Sequence, residues 1–237
     1  MTFEVPPEEL PKWGLTQVSV QKQRDLKKEA LLECAARWFH RHGFHGASLA
    51  DIASELGVTK PAIYHYAKNK MELLYELHVR SLMAARQARD DAVRDGVDGL
   101  DRITRLVHNV VIAMTSSVTS TFTFLEPGTL DEAHSEPIIA ARRWLAYDLR
   151  ELIRSGVEDG SIVPCDPKMV SFFIVGAQNW ITNWYEAGGA LEGEQIAASY
   201  STMVRRMLAT GERVPLPSHV PGSARAADPA AQGGTSE

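Results

Sequence analysis

Between residues 22 and 211 the apolar positions recur at intervals of three and four, the spacing that places side chains on one face of a helix. The first stripe is Leu26, Ala30, Leu31, Cys34, Ala35, Trp38 and Phe39, and it predicts a helix from about Lys22 to His42. Gly43 follows as the residue able to take the left-handed backbone of a helix end, which lets Phe44 fold back. In the next stretch, ASLADIASELGVTKPAIYHYAKNK, Ser48 is a natural N-cap with Asp51 as its capping partner, ahead of Leu49, Ile52, Ala53 and Leu56. Gly57 ends that short helix, Val58 is expected beneath the turn, and Thr59 caps a second short helix carrying Lys60, Pro61 and Ile63. Proline is tolerated there because the first helical turn needs no N–H. Two short helices joined at a glycine predict a helix-turn-helix.

Longer helical patterns follow at about 70–94 (Leu73, Leu74, Leu77, Leu82, Met83), 100–117, 136–157, 167–187 and 193–209, with TSTFTFLEPGTL interrupting the series. Strand alternation and internal repeats are absent from the sequence. The expectation is an all-α chain of about nine helices, with a three-helix head at 22–69 and a helical effector-binding and dimerisation domain at 70–211. Residues 1–21, with Pro6, Pro7, Pro11 and Gly14, read as a flexible arm. Residues 212–237, rich in Pro, Gly, Ala and Ser, read as a disordered tail, because that composition offers too little apolar area to offset chain entropy.

Charge sharpens this division. From Lys22 to Lys70 there are nine Lys/Arg against five Asp/Glu, a net of +4, so with −5 overall the remainder carries −9. A basic head on an acidic body suits a polyanionic partner for the head alone. The two cysteines, Cys34 and Cys165, form neither a disulfide framework nor a CxxC pair and fit a reducing compartment. No apolar run reaches the length of a membrane span and no signal pattern opens the chain, so a cytoplasmic protein is expected. Three histidines in WFHRHGFHGAS (His40, His42, His45) raise the question of a metal, but no nearby cysteine or acid completes a ligand set, and neither metal nor cofactor is expected. Two of them sit where a cation favours the end of a helix dipole.

The stretch GFHGASLADIASELGVTKPAIYHYAKNKMELL resembles the DNA-binding module of the TetR (tetracycline-repressor type) transcriptional regulators, over roughly residues 25–75. Ala67, where the family usually has Phe, and Pro61, where Gly or Ser is usual, depart from its pattern. In a helix-turn-helix the second helix enters the major groove with its N-terminal residues against base edges. That assigns Lys60, Pro61, Ala62, Tyr64, His65 and Tyr66 to double-stranded DNA, with core packing as the competing role of Tyr66. Ser48 and Thr59 stand at helix starts suited to phosphate. Lys70 resembles the family's phosphate-contacting lysine.

The resemblance further implies a homodimer on a palindromic operator and a small-molecule effector, with acyl-CoA thioesters and aromatic compounds as the expected classes. It places the dimer interface on the last two long helices, at Trp180, Trp184, Tyr200, Met203 and Met207, together with Ile174, Val175, Ile181, Ile196 and Val204. It places the effector pocket among helices four to eight, where the candidates are His108, Met114, Phe122, Phe124, Arg142, Arg143, Tyr147, Asn179 and Asn183. A buried arginine calls for an anion; the competing reading pairs Arg142 or Arg143 with Glu136, Asp148 or Glu151. An enzyme would need a nucleophile motif, a phosphate loop or metal spacing, none of which the sequence contains. A helical adaptor without DNA binding is the remaining alternative.

Overall fold

The computed structural model describes residues 17–116 and 129–211. They form eight α-helices and a short 3-10 helix, with one isolated bridge between Ile162 and Ala209 as the extended pairing among the described residues. The chain divides into two compact units, Met1–Leu73 and Leu74–Glu237.

The first unit holds α1 (Gln17–Gly46), α2 (Leu49–Glu55), α3 (Lys60–Ile63) and the start of α4 (Lys70–Asp95). Burial begins at Leu31 and runs through Leu32, Cys34, Ala35, Ala36 and Phe39 to Ile52, Ala53 and Ile63. The expected stripe is therefore corrected at its start, since Leu26 is 62% exposed and Leu32 and Ala36 are fully buried. Only the later turns of α1 have α2 to pack against. Gly43 takes φ +68 and ψ 168, a kink that L side chains rarely adopt, and the Phe44 ring returns to within 5.6 Å of the Phe39 ring. Ser48 Oγ accepts from Asp51 N at 3.2 Å and donates to Asp51 Oδ2 at 2.6 Å, so the capping pair forms through the hydroxyl itself. Gly57 supplies φ +65 in the turn. Val58, expected beneath that turn, is 45% exposed: its backbone N–H closes the turn on Ala53 O at 3.0 Å and its side chain stays outside.

The second unit contains the rest of α4, α5 (Gly99–Ser116), α6 (Glu132–Glu158), α7 (Pro167–Trp180), the 3-10 helix Ile181–Asn183 and α8 (Gly193–Leu208). One apolar cluster joins Ile103, Leu106 and Val107 of α5 to Leu149, Leu152 and Ile153 of α6, Ile174 of α7 and Val204 and Leu208 of α8. A second joins Val111 and Met114 to Ile181, Ile196 and Ala197. The start of α5 is tied to the end of α6: Gly99 N donates to Asp159 Oδ2 at 2.8 Å and Leu100 N to Ser161 Oγ at 3.0 Å. These side chains satisfy N–H groups that a helix start leaves free. A Cβ on Gly99 would collide with the Gly156 backbone, so the two glycines set how closely the helices meet.

Besides α1, which begins at Gln17 rather than about Lys22 and continues through the Gly43 kink to Gly46, two element boundaries differ from expectation. α6 begins at Glu132 rather than about 136, because Asp131 caps it (His134 N donates to Asp131 Oδ1, 3.0 Å) and Pro137 is carried inside the helix. α7 stops at Trp180 and tightens into the 3-10 turn, which sinks Ile181 into the core at 1% exposure and leaves Trp180 outside.

Candidate DNA-binding surface and effector chamber

Pro61 lies in the first turn of α3, and Thr59 is the N-cap residue by backbone, although its side chain makes no capping bond. Beyond Ile63 the chain keeps turning through three-residue bonds, Tyr64 N to Pro61 O at 3.2 Å and Tyr66 N to Ile63 O at 2.8 Å. Thr59, Lys60, Pro61, Tyr64 and His65 are exposed, and Ala62 and Tyr66 are half-buried, while Ile63 anchors the segment at 2% exposure. The segment thus presents one cation, one phenol and one imidazole around a proline on a single short ridge.

Lys70 is placed differently from its expected role. Its ammonium donates to the carbonyls of Phe44 (2.7 Å), Ala47 (3.0 Å) and His45 (3.4 Å) and lies 4.4 Å from the Phe44 ring centroid. An ammonium has three donors, and here all three close the kinked end of α1, so a phosphate contact by Lys70 would have to replace these bonds. Ser48 Oγ is likewise engaged with Asp51. Two histidines of WFHRHGFHGAS pack locally: His42 stacks on Trp38 at 4.4 Å and His45 meets Phe44 edge-on at 5.4 Å. Among the described residues no group of three His, Cys, Asp or Glu is arranged to hold a metal. Trp38 Nε1 donates to Glu55 Oε2 at 2.6 Å and Arg37 to Glu55 Oε1 at 3.2 Å, clamping α1 to α2.

In the second unit α4, α5, α6 and α7 enclose a chamber of about 330 Å³. Its walls are mainly Leu82, Ala85, Leu106, Val110, Leu149 and Ile174, with a few polar groups among them. Met114, Arg142 and Asn179 of the expected pocket residues line it. Four of the others do not line it. Arg143, Tyr147 and Asn183 are exposed, and His108 pairs with Glu194 at 3.0 Å away from the chamber. Arg143 is one residue, about 100° of helix rotation, from Arg142, and Asn183 is turned aside by the end of α7. Phe122 and Phe124 lie outside the described residues.

Arg142 is the chamber's distinctive group. Burial lowers its pKa from the ordinary guanidinium value, and arginine nonetheless stays protonated. Its Nη2 donates to His78 Nδ1 at 3.1 Å, so the proton on that imidazole is assigned to Nε2. The expected acid partners do not hold it. Asp148 takes a two-pronged bond from Arg89 at 2.7 and 2.7 Å, Glu151 is engaged by Arg154, and among the described residues no carboxylate lies within ion-pair distance of Arg142. The chamber therefore contains one balanced ion pair and one guanidinium set against a neutral ring. Sequence reasoning missed His78, Ser81 and Gln178. His78 and Ser81 fall on the α4 stripe of Leu74, Leu77, Ala85 and Ala88, and polar residues on an apolar stripe were the signal available.

Of the expected interface residues, Trp180 (62%), Met203 (55%), Trp184 (40%), Met207 (39%) and Val175 (39%) are exposed, and Met169, Phe172 and Phe173 of α7 are exposed as well. Ile174, Ile181, Ile196 and Val204 are buried within the unit and are corrected to core. Tyr200 is half-buried: it packs on the core and donates its hydroxyl to Ala177 O at 3.3 Å.

Comparison with known proteins matches this arrangement. The profile for bacterial regulatory proteins of the tetR family covers residues 31–77, and that for the tetracyclin repressor-like C-terminal domain covers 96–208. The HTH-type transcriptional repressor KstR2 of Mycolicibacterium smegmatis is 25% identical over 196 residues, spanning 75% of this chain and 88% of its own. AibR, solved in complex with isovaleryl coenzyme A and operator DNA, is 27% identical with a TM-score of 0.64, covering 75% of this chain and 97% of AibR. PfmR, a TetR family regulator from Thermus thermophilus, is 27% identical with a TM-score of 0.67, covering 77% of this chain and 99% of PfmR. The chain belongs to the tetR family of bacterial regulatory proteins and is a DNA-binding transcriptional regulator.

Proposed function

We propose that the chain is a dimeric repressor of a palindromic operator, released by an acyl-coenzyme A thioester or a related amphipathic acid that occupies the 330 Å³ chamber. The observation that carries the effector class is Arg142, a partly buried guanidinium without a carboxylate partner among the described residues, in a mainly apolar cavity whose other charges, Arg89 and Asp148, pair with each other. Its remaining donors suit a thioester carbonyl, a phosphate or a carboxylate. The isovaleryl coenzyme A complex of AibR supports the thioester within that set. The exposed α7–α8 face supports the dimer, since a lone soluble chain seldom leaves so many large apolar side chains in water. Lys60, Pro61, Ala62, Tyr64, His65 and Tyr66 are the proposed base and phosphate contacts, with Thr59 and Ser48 beside them. Regulation needs only that the effector favour a conformer in which the two heads no longer fit successive major grooves. The reading is of a cytoplasmic regulator without catalysis.

The test is binding to the DNA flanking the protein's own coding region, with and without isovaleryl coenzyme A and a panel of longer-chain and aromatic thioesters and acids. The double variant Lys60→Ala/Tyr64→Ala should lower operator affinity by about tenfold or more. Arg142→Met should keep operator affinity and lose release. Unchanged DNA binding in the first variant would remove α3 as the reading element, and unchanged release in the second would remove Arg142 from the effector site.

A further inference from the structure

The chamber has a neighbour. Leu82 of α4 and Leu145 of α6 line both the 330 Å³ chamber and a second cavity of about 420 Å³ on the other side of the same two helices. This outer groove is walled by Tyr75, Val79, Pro137, Ile138 and Trp144. Trp144 is 43% exposed, with the guanidinium of Arg86 5.3 Å and that of Arg89 5.8 Å from its ring centroid. The two cations differ. Arg89 is committed to Asp148 at 2.7 Å, whereas Arg86 is 70% exposed and reaches Asp90 only at 3.9 Å. The groove therefore joins an aromatic plate to a cation whose ion pair is loose.

Size separates the two cavities by what each can hold. An apolar cavity of about 150 Å³ takes one benzene ring, so the inner chamber takes an acyl group and its thioester, and a nucleotide carrier has to lie elsewhere. An aromatic face with an adjacent guanidinium is the chemistry that holds a purine and its phosphates. Resting on the thioester reading above, we propose that the α4–α6 groove is the outer half of the effector site. The nucleotide end of the thioester packs its purine on Trp144 and sets a phosphate on Arg86, and the linking chain passes between Leu82 and Leu145. α4 and α6 are then held by both ends of one ligand.

Calorimetry on the full chain tests this, using isovaleryl-, octanoyl- and benzoyl-coenzyme A beside the matching pantetheine thioesters, which lack the nucleotide. The wild-type protein should bind a coenzyme A thioester about tenfold or more tighter than its pantetheine counterpart. Trp144→Ala and Arg86→Gln should each shrink that margin while leaving pantetheine-thioester affinity and DNA affinity alone, and Trp144→Phe should restore most of it. A margin that survives Trp144→Ala, or an equal loss for both ligand forms, overturns the assignment of the groove. If neither form binds the wild-type protein while DNA binding persists, the thioester reading fails and this proposal falls with it.

Discussion

Cys34 is fully buried in the head, its Sγ 3.9 Å from the carbonyl of Ile52. Burial first, and the Glu55 carboxylate second, push its pKa from 9.0 up to about 11. An unfolded chain gives up that proton near 9.0, so the stabilisation is complete below that pH and is lost as the pH climbs toward 11. Denaturation measured between pH 8 and 11 should show a decline that Cys34→Ala flattens, and peptide mapping after alkylation at pH 8 should find Cys34 unmodified in the folded protein. A steep decline in the variant would assign the alkaline loss to another group. Glu55 runs the opposite way. The bond from Arg37, with those from Trp38 and Cys34, holds its carboxyl below the ordinary value, so its contribution is present above about pH 4.5 and fades on acidification through the folded value. Individual residues were also where the sequence was least readable. Arg142 and Arg143 are both chamber candidates in the sequence, with pairing to an acid as the competing role, because a charged pair in sequence does not reveal which member faces inward. That depends on the helix phase set by Ile138, Leu145 and Leu149.

At the scale of elements, local chemistry made the head legible. Ser48, Gly57 and Pro61 each demand a particular backbone, and each stands where its demand is met. The end of α7 had no such punctuation. Ile181 breaks the register because the cluster of Val111, Met114 and Ile196 draws it in, a long-range contact that no local signal announces. Close helix contact is similarly hidden until α5 and α6 are seen together. Gly99→Ala should cost about 1–3 kcal/mol, read as a lower denaturation midpoint of the second unit, because a new methyl meets the Gly156 backbone rather than a movable side chain. A midpoint equal to the wild type would show that the two helices separate without cost. Gly160→Ala, whose Cβ meets nothing within 4 Å but whose φ is +79, separates backbone strain from crowding.

For the whole molecule, the exposed α7–α8 face predicts its own response to charge. Trp180→Glu should shift the protein from dimer to monomer in sedimentation and weaken operator binding with it, while helix content stays unchanged. A variant that stays dimeric would move the interface elsewhere. The Lys70 clip has a separate consequence, in counterions. Each phosphate neutralised by a cation adds about 0.9 to the steepness with which log affinity falls against log salt. A lysine whose donors all go to Phe44, His45 and Ala47 carbonyls releases no counterion when the head meets DNA. Lys70→Met should therefore lower the thermal midpoint of the head yet leave the salt slope of operator binding as it was, whereas Lys60→Met should make that slope shallower by about one. A slope that moved with Lys70 would mean that the clip opens on DNA and the ammonium changes its carbonyls for a phosphate.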